Sequence, residues 1–234
     1  MKLLASFEQF QQPPVSFDGG AGRPARLAIL LSGRGSNMLA LLEATKTGVL
    51  QGVAEVVVVF SNKADAFGLE AAAALGCPVA SLPSLGRQRE AFDADVARLL
   101  QQYQPDLVVL AGYMRILSPA FIQPFAGRIV NIHPADTQQH QGLHAYEWAF
   151  ENKLPETKIT VHLVDEGLDT GPILAQQTVD LRGADTLAEV ERRGLAVEHE
   201  VYARTLAELI EKIRHAARSE TSRVPQVISS QEKE

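Results

Sequence analysis

Residues 27–37 read Leu-Ala-Ile-Leu-Leu-Ser-Gly-Arg-Gly-Ser-Asn. The five apolar residues Leu27–Leu31, halted by Ser32-Gly33, have the pattern of a short buried strand. Ser36–Lys46 follows with Met38, Leu39 and Leu42 at helical spacing, and Gly48 closes the segment as a C-terminal glycine does. The junction is therefore strand, Gly-x-Gly, helix. Its glycines let the backbone turn sharply and approach a ligand closely. The helix start offers free N–H groups and a positive dipole end to an anion. Ser36 and Asn37 add side-chain donors. The stretch lacks the third glycine of a dinucleotide fingerprint and the Gly-Lys-Ser/Thr of a triphosphate loop, so a monophosphate is the expected anion. The plainer alternative is a tight turn with Ser36 as the helix N-cap.

The alternation continues outward. Glu55–Phe60 is β-branched and apolar, as a central strand is. Ala64–Leu75 is an alanine-rich helix ending at Gly76, and Pro78–Leu82 a short strand. Arg87–Tyr103 is a helix with Phe92, Val96, Leu99 and Leu100 on one face. Asp106–Ala111 and Arg128–Ile132 are further strands. Strands alternating with helices predict an α/β fold, an open doubly wound and mostly parallel sheet with right-handed crossovers. After Pro134 the pattern changes. Residues 135–143 are polar and irregular, and Ala145–Glu151 is a short helix. Ile159–Val164 and Ile173–Leu181 are strands that could add to the sheet antiparallel. A long C-terminal helix is expected over about Thr186–Arg214. Residues 1–24, with Gln-Gln-Pro-Pro and Gly-Gly-Ala-Gly, read as a mobile extension; 25–216 form one domain, and 217–234 a polar tail.

Composition narrows the classes. The chain has 234 residues and a formal net charge of −6. That balance argues against general nucleic-acid binding, which needs a concentrated basic surface. No apolar run approaches the length of a membrane span, and the start has no apolar signal-peptide core, so a cytoplasmic location is expected. A single cysteine, Cys77, allows neither an internal disulfide nor a four-thiolate zinc site, and its apolar surroundings predict a buried structural thiol.

Strand 128–132 runs into Val130-Asn131-Ile132-His133-Pro134. Alternation puts Asn131 and His133 on one face, at the carboxyl end of an inferred parallel strand, where open α/β sheets bind ligands. An amide beside an imidazole suits acyl-group chemistry: the amide N–H₂ donates to a carbonyl oxygen that becomes an oxyanion, and the imidazole donates or carries the proton. A nearby carboxylate would favour the imidazolium, and burial would oppose it. Asp165, Glu166 and Asp169, in a glycine-rich loop between two strands, are all candidates, and spacing does not choose among them. His162, on an alternating strand, fits a structural hydrogen bond. Tyr146 and Trp148 fit packing of the short helix.

Taken together, residues 26–216 resemble the phosphoribosylglycinamide formyltransferase family, the folate-dependent enzymes of purine synthesis. The resemblance rests on Ser-Gly-Arg-Gly-Ser-Asn at 32–37, Phe-Ser-Asn-Lys-Ala-Asp-Ala at 60–66 and Leu-Ala-Gly-Tyr-Met-Arg-Ile-Leu-Ser-Pro at 110–119. It continues in Asn-Ile-His-Pro at 131–134 and Leu-Asp-Thr-Gly-Pro-Ile at 168–173. It implies a Rossmann-like formyltransferase fold and transfer of a formyl group from 10-formyltetrahydrofolate to the amine of glycinamide ribonucleotide, without a metal. It implies that Asn131, His133 and Asp169 are catalytic, with Asp169 raising the pKa of His133 so that protonated His133 and Asn131 stabilise the oxyanion. Gly35, Ser36 and Asn37 would hold the substrate phosphate, and Glu198 the ribose and amine. Arg89, Met114, Arg115, Ile116 and Leu117, with Asn131, would bind the folate. The implied partners are small molecules alone, with no nucleic acid or membrane, and the implied state is a monomer or homodimer.

One stretch departs from the family pattern. After Asn-Ile-His-Pro the family continues Ser-Leu-Leu-Pro, then an aromatic residue and glycine; here Ala135-Asp136-Thr137-Gln138-Gln139-His140-Gln141-Gly142 follows. That leaves three readings: an active variant, an enzyme acting on another phosphorylated amine, or a chain that binds ligand and catalyses poorly. A formyltetrahydrofolate hydrolase and a folate- or nucleotide-binding paralogue are the competing functions. Asp136, His140 and His144 match no standard zinc spacing.

Overall fold

The computed structural model describes residues 22–221, with side chains through Arg218. The expected extension over 1–24 and the tail over 217–234 lie mostly outside that range. Within it, the Arg23 guanidinium meets both carboxylate oxygens of Asp106, at 2.6 and 2.9 Å. The chain is thus already pinned to the sheet two residues before the first strand.

The elements alternate as expected. They are β1 (Ala25–Leu31), α1 (Ser36–Thr47), β2 (Ala54–Ser61), α2 (Phe67–Ala74), β3 (Val79–Ser81), α3 (Arg89–Gln101) and β4 (Leu107–Leu110). Then come α4 (Pro119–Ile122), β5 (Ile129–His133), α5 (Ala145–Glu151), β6 (Glu156–Leu163), β7 (Ile173–Asp180) and α6 (Leu187–Thr221). They form one seven-stranded sheet in the order β3-β2-β1-β4-β5-β6-β7. The first five strands in that order pair parallel, and β6 and β7 add antiparallel.

Alternation along each strand makes the sheet two-faced. Leu27, Ile29 and Leu31 pack with residues of α1, α2 and α6 on one face. Ala28 and Leu30 pack with Phe92, Val96 and Leu100 of α3 and Phe121 and Ile122 of α4 on the other. Chain order runs outward in both directions from the β1–β4 boundary, which makes it the switch point where such sheets open a crevice. Ser32 spans that boundary. Its Oγ donates to Asn62 Oδ1 at 2.6 Å after β2 and accepts the Met114 N–H at 2.8 Å after β4. The fully buried Tyr202 of α6 shares its hydroxyl proton between the carbonyls of Leu110 and Val130, each at 3.0 Å, tying the long helix to β4 and β5.

The differences from expectation are local. Residues 119–125 form α4 and a 3-10 turn, Gln123–Phe125. α6 extends seven residues past Arg214. Cys77 is half-buried rather than buried, and the burial it has pushes its thiol upward.

Candidate functional site

Two polar clusters form at the carboxyl edge of the sheet. The first begins at the end of β1. Gly35 has φ +80°, the left-handed region, and serves as N-cap of α1. The helix therefore starts at Ser36, and Ser36 is its first residue rather than its cap; no side chain caps this end. A Cβ on Gly35 would stand 3.0 Å from Gly68 Cα, so glycine is required both for the turn and for the approach of α2. Gly68 in turn donates its N–H to the Gly33 carbonyl at 3.0 Å. The first-turn N–H groups of the helix, which have no partner within it, suit an anion.

Asn37, on the first turn, is buried, and its Nδ2 donates to Glu198 Oε2. The other oxygen of Glu198 accepts the Tyr146 hydroxyl of α5. Asn37 Oδ1 is buried with no partner; an orphaned acceptor of this kind suits a ligand hydroxyl or amine. Tyr146 fits because residue 194 is glycine. A Cβ there would lie 2.2 Å from the phenol ring.

The second cluster gathers on β5. Val130 and Ile132 face the α1–α6 core, and Asn131 and His133 face the other way. Of the three candidate carboxylates, Asp169 reaches them. Its Oδ1 accepts from Asn131 Nδ2 at 3.3 Å, and its Oδ2 lies 3.6 Å from His133 Nδ1 and accepts the Gly142 N–H at 2.9 Å. Asp165 instead closes its own loop, accepting from Gly167 N and Thr170 Oγ1. Asp169 has φ +54°, a conformation that Asp tolerates better than most residues. Gly171 keeps that loop in place; a Cβ there would overlap the Leu163 carbonyl oxygen at 1.8 Å.

His162 belongs to this cluster as well. It pairs across the antiparallel ladder with Asn131. Its Nδ1 meets the Leu163 carbonyl at 2.8 Å, so that nitrogen carries a proton and donates. Its Nε2 lies 3.2 Å from Asn131 Nδ2 and 3.5 Å from Asp169 Oδ1. The two N–H bonds of the Asn131 amide thus point at His162 and Asp169, and an incoming carbonyl oxygen competes for the same donors.

At His133 the Asp169 contribution raises the pKa, as expected, while the net shift is downward. His133 Nε2 donates to the His140 carbonyl at 3.0 Å, and Asp169 faces the other ring nitrogen. Both neighbours favour the imidazolium. Burial opposes it more strongly, and His162 and His140 add to that opposition, so the His133 pKa is lowered rather than raised. Burial likewise pushes the Asp169 carboxyl up, but the nearby His162 ring, the Gly142 amide and His133 outweigh it and hold Asp169 below its ordinary value.

The remaining candidates are spread out. Met114 and Ile116 are exposed, and Leu117 is buried. Arg115 turns inward: its guanidinium lies 4.4 Å from the Phe92 ring centroid and 3.9 Å from the buried Asp93. Arg89 opens α3 and sits 3.6 Å from Glu90. Among the described residues no hydrogen bond or ion pair joins Arg89 to the two clusters. The short helix α5 links the clusters instead. Its Tyr146 reaches Glu198, and its Trp148 ring lies 4.9 Å from the His140 ring, which stacks toward His133. Beside the second cluster a cavity of about 380 Å³ is lined by Thr137–Gln141, Asp169–Gly171 and Ile173. Asp136, His140 and His144 do not converge on a common point: Asp136 pairs with Lys158, and His144 with Glu147.

An open, mostly parallel sheet carrying an amide, an imidazole and a carboxylate at its carboxyl edge, next to an anion-binding helix start, has the layout of a group-transfer enzyme. Comparison with known proteins makes the class specific. The formyl transferase family model matches residues 25–206, and the chain belongs to that family. It is 43% identical over 177 residues to the phosphoribosylglycinamide formyltransferase of Escherichia coli (strain K12), covering 75% of this chain and 82% of that one. It is 37% identical over 185 residues to the trifunctional purine biosynthetic protein adenosine-3 of Homo sapiens, where it spans 79% of this chain and 18% of the relative. The crystal structure of phosphoribosylglycinamide formyltransferase from Bacillus halodurans matches with TM-score 0.75 at 40% identity, covering 79% of this chain and 95% of that one.

Proposed function

We propose that this enzyme transfers the formyl group of 10-formyltetrahydrofolate to the amine of glycinamide ribonucleotide, in purine synthesis. The observation that carries the reading is the meeting of Asn131, His133 and Asp169 on the carboxyl edge of the sheet, in a chain of the formyl transferase family. The named relatives support the choice of acceptor.

In this reading the N–H groups at Gly35 and Ser36, with Asn37, hold the substrate phosphate, and Glu198 receives the ribose and amine. The Met114–Leu117 stretch, exposed at Met114 and Ile116, and Arg89 bind the folate. The amine nitrogen attacks the formyl carbon, a C–N bond forms, and the carbonyl π pair moves to oxygen. The Asn131 amide donates to that oxyanion; one such donor lowers a barrier by roughly 3–4 kcal/mol. A largely neutral His133 accepts the proton shed by the attacking nitrogen and returns it to the departing folate nitrogen as the old C–N bond breaks. Asp169 stabilises the imidazolium formed in between. The carboxylate thus serves a transient charge, which reconciles it with a lowered resting His133 pKa. The reading needs no metal, nucleic acid or membrane, and includes a cytoplasmic location and a monomer or homodimer.

The test is to mix purified protein with 10-formyltetrahydrofolate and glycinamide ribonucleotide and follow the tetrahydrofolate product. Turnover that depends on the amine is expected. Product without the amine would indicate a hydrolase, and none with either a binding protein. His133→Ala should lower kcat by about 100-fold or more; wild-type turnover in that variant would remove His133 from the mechanism.

A further inference from the structure

The segment that departs from the family pattern is not loose. Asp136 organises it from both ends. Its backbone carbonyl accepts the N–H groups of Gln139 at 2.8 Å and His140 at 2.9 Å. Its carboxylate accepts the Gln138 N–H at 3.1 Å, Lys158 Nζ at 2.7 Å and, more weakly, Gln176 Nε2 at 3.4 Å. One residue earlier, Thr160 Oγ1 donates to the Ala135 carbonyl at 2.7 Å and accepts from Gln176 Nε2 at 3.0 Å. The anchors all come from the antiparallel pair β6–β7, and Thr160 stands opposite His133 in the ladder. The turn ends with the His140 carbonyl on His133 Nε2.

We infer that the Asp136–Lys158 pair is a positioning device: by fixing the 136–140 turn to β6 it holds the His140 carbonyl against the His133 imidazole and so sets the protonation of that ring. Where the family pattern has apolar residues and a proline, this chain uses a buried carboxylate with a charged partner. The ionised groups support this. Burial opposes the charge on Asp136, yet Lys158 and the Gln138 amide keep it below its ordinary value, so the carboxylate remains an acceptor at neutral pH. The groups facing His133 are Asp169 from the β6–β7 loop, His162 from β6 and His140 from the turn. Of these, His140 contributes a carbonyl that favours the protonated ring and an imidazole that opposes it; both ride on the turn, and the carbonyl's contribution is the larger. An ordinary half-exposed ion pair would contribute little to stability and would reach His133 only weakly, through space. The consequence for turnover rests on the formyl transfer proposed above; the consequence for His133 does not.

The two explanations predict opposite signs in Lys158→Met. Removing a positive charge acts through space to favour the imidazolium and raise the His133 midpoint. Releasing the clamp withdraws the His140 carbonyl and lowers it. The experiment is an NMR titration of the histidine signals in the full chain, with His133 assigned by the signal lost in His133→Asn, alongside kcat and KM from about pH 5 to 9. The inference expects the His133 midpoint of Lys158→Met to fall by about half a pH unit, roughly threefold in the proton-binding constant. The acid limb of kcat should move with it, KM for the phosphorylated amine should stay within about twofold, and Lys158→Arg should restore both. Lys158→Gln, which keeps a polar side chain of similar length, should shift the midpoint in the same direction and serves if the methionine variant does not fold. A midpoint that rises or stays put in a folded variant overturns the inference, even if the melting temperature drops. If the wild type shows no formyl transfer, the functional proposal fails and the titration still decides this one.

Discussion

The Gly33–Asn37 loop keeps its shape with backbone, whereas the 131–142 segment opposite keeps its shape with side chains. In the first, a left-handed Gly35 and the Gly68–Gly33 hydrogen bond set the geometry, and no acid or histidine lies between residues 32 and 37. In the second, Asn131, His133, Asp136, His162 and Asp169 form interlocking polar contacts around buried ionisable groups. In the proposed reaction one side presents fixed dipoles to the substrate phosphate, and the other exchanges protons. The backbone-built side should therefore respond to changes in φ and, having no titrating side chain of its own, follow pH only through the ionisation of the phosphate, at about pH 6. The side-chain-built side should show the reverse.

The largest expected effect is on the proton-handling side. Asn131→Ala should lower kcat by about 100- to 1000-fold, with KM for the phosphorylated amine changed by no more than about threefold. A rise in KM with kcat unchanged would break the comparison. On the backbone side, Gly35→Ala places an L-residue in the left-handed region, at a cost of about 1–2 kcal/mol, and crowds Gly68. KM for the phosphorylated amine should rise by about tenfold while the pH profile of kcat keeps its position.

A smaller effect should appear in stability against pH. The folded His133 value lies below the ordinary 6.5. Above pH 6.5 the ring is neutral in both states; below it the unfolded chain binds the proton first, so stability falls as pH drops toward the folded value. The partly buried His199 is lowered in the same direction, also by burial, and shares that window. Asp169 lies below the ordinary 3.8, so its stabilising contribution is complete above that value and is lost as the pH falls further. Urea midpoints measured across pH should thus decline in two stages, and His133→Asn should flatten the first down to the His199 share and weaken the second, because His133 helps to hold the Asp169 value down. The smallest effect belongs to Ser36→Ala. Since Ser36 caps nothing, the melting temperature should not move. KM for the phosphorylated amine should rise by about two- to tenfold, the worth of one hydrogen bond.

Much of the fold was readable because strand and helix periods differ. The apolar runs at 27–31 and 106–111 and the helical stripe of Phe92, Val96 and Leu100 match β1, β4 and α3 to within two residues. The placing of Asn131 and His133 on one face followed from alternation alone. What periodicity could not supply was register. His162 joins the site because it stands opposite Asn131 across an antiparallel ladder, and no local pattern records which residues face each other. The same holds for Lys158 with Asp136 and for Tyr146 with Glu198. The alternative of Ser36 as a cap follows from residue type, which favours serine there, whereas the cap is Gly35, whose positive φ favours glycine. The Pro119–Phe125 segment is too short, and too interrupted by Pro124, to show a period.

Gly194 sits inside the 35-residue α6, where glycine weakens a helix by about 1 kcal/mol relative to alanine. The vacancy it leaves is filled by the Tyr146 ring. The position works as a keyhole: an added methyl would evict the phenol, free one oxygen of Glu198 and reach the ligand side of Asn37 without touching either residue. A substitution that any helix-propensity table would score as stabilising should, at this address, weaken binding of the phosphorylated amine in the proposed site.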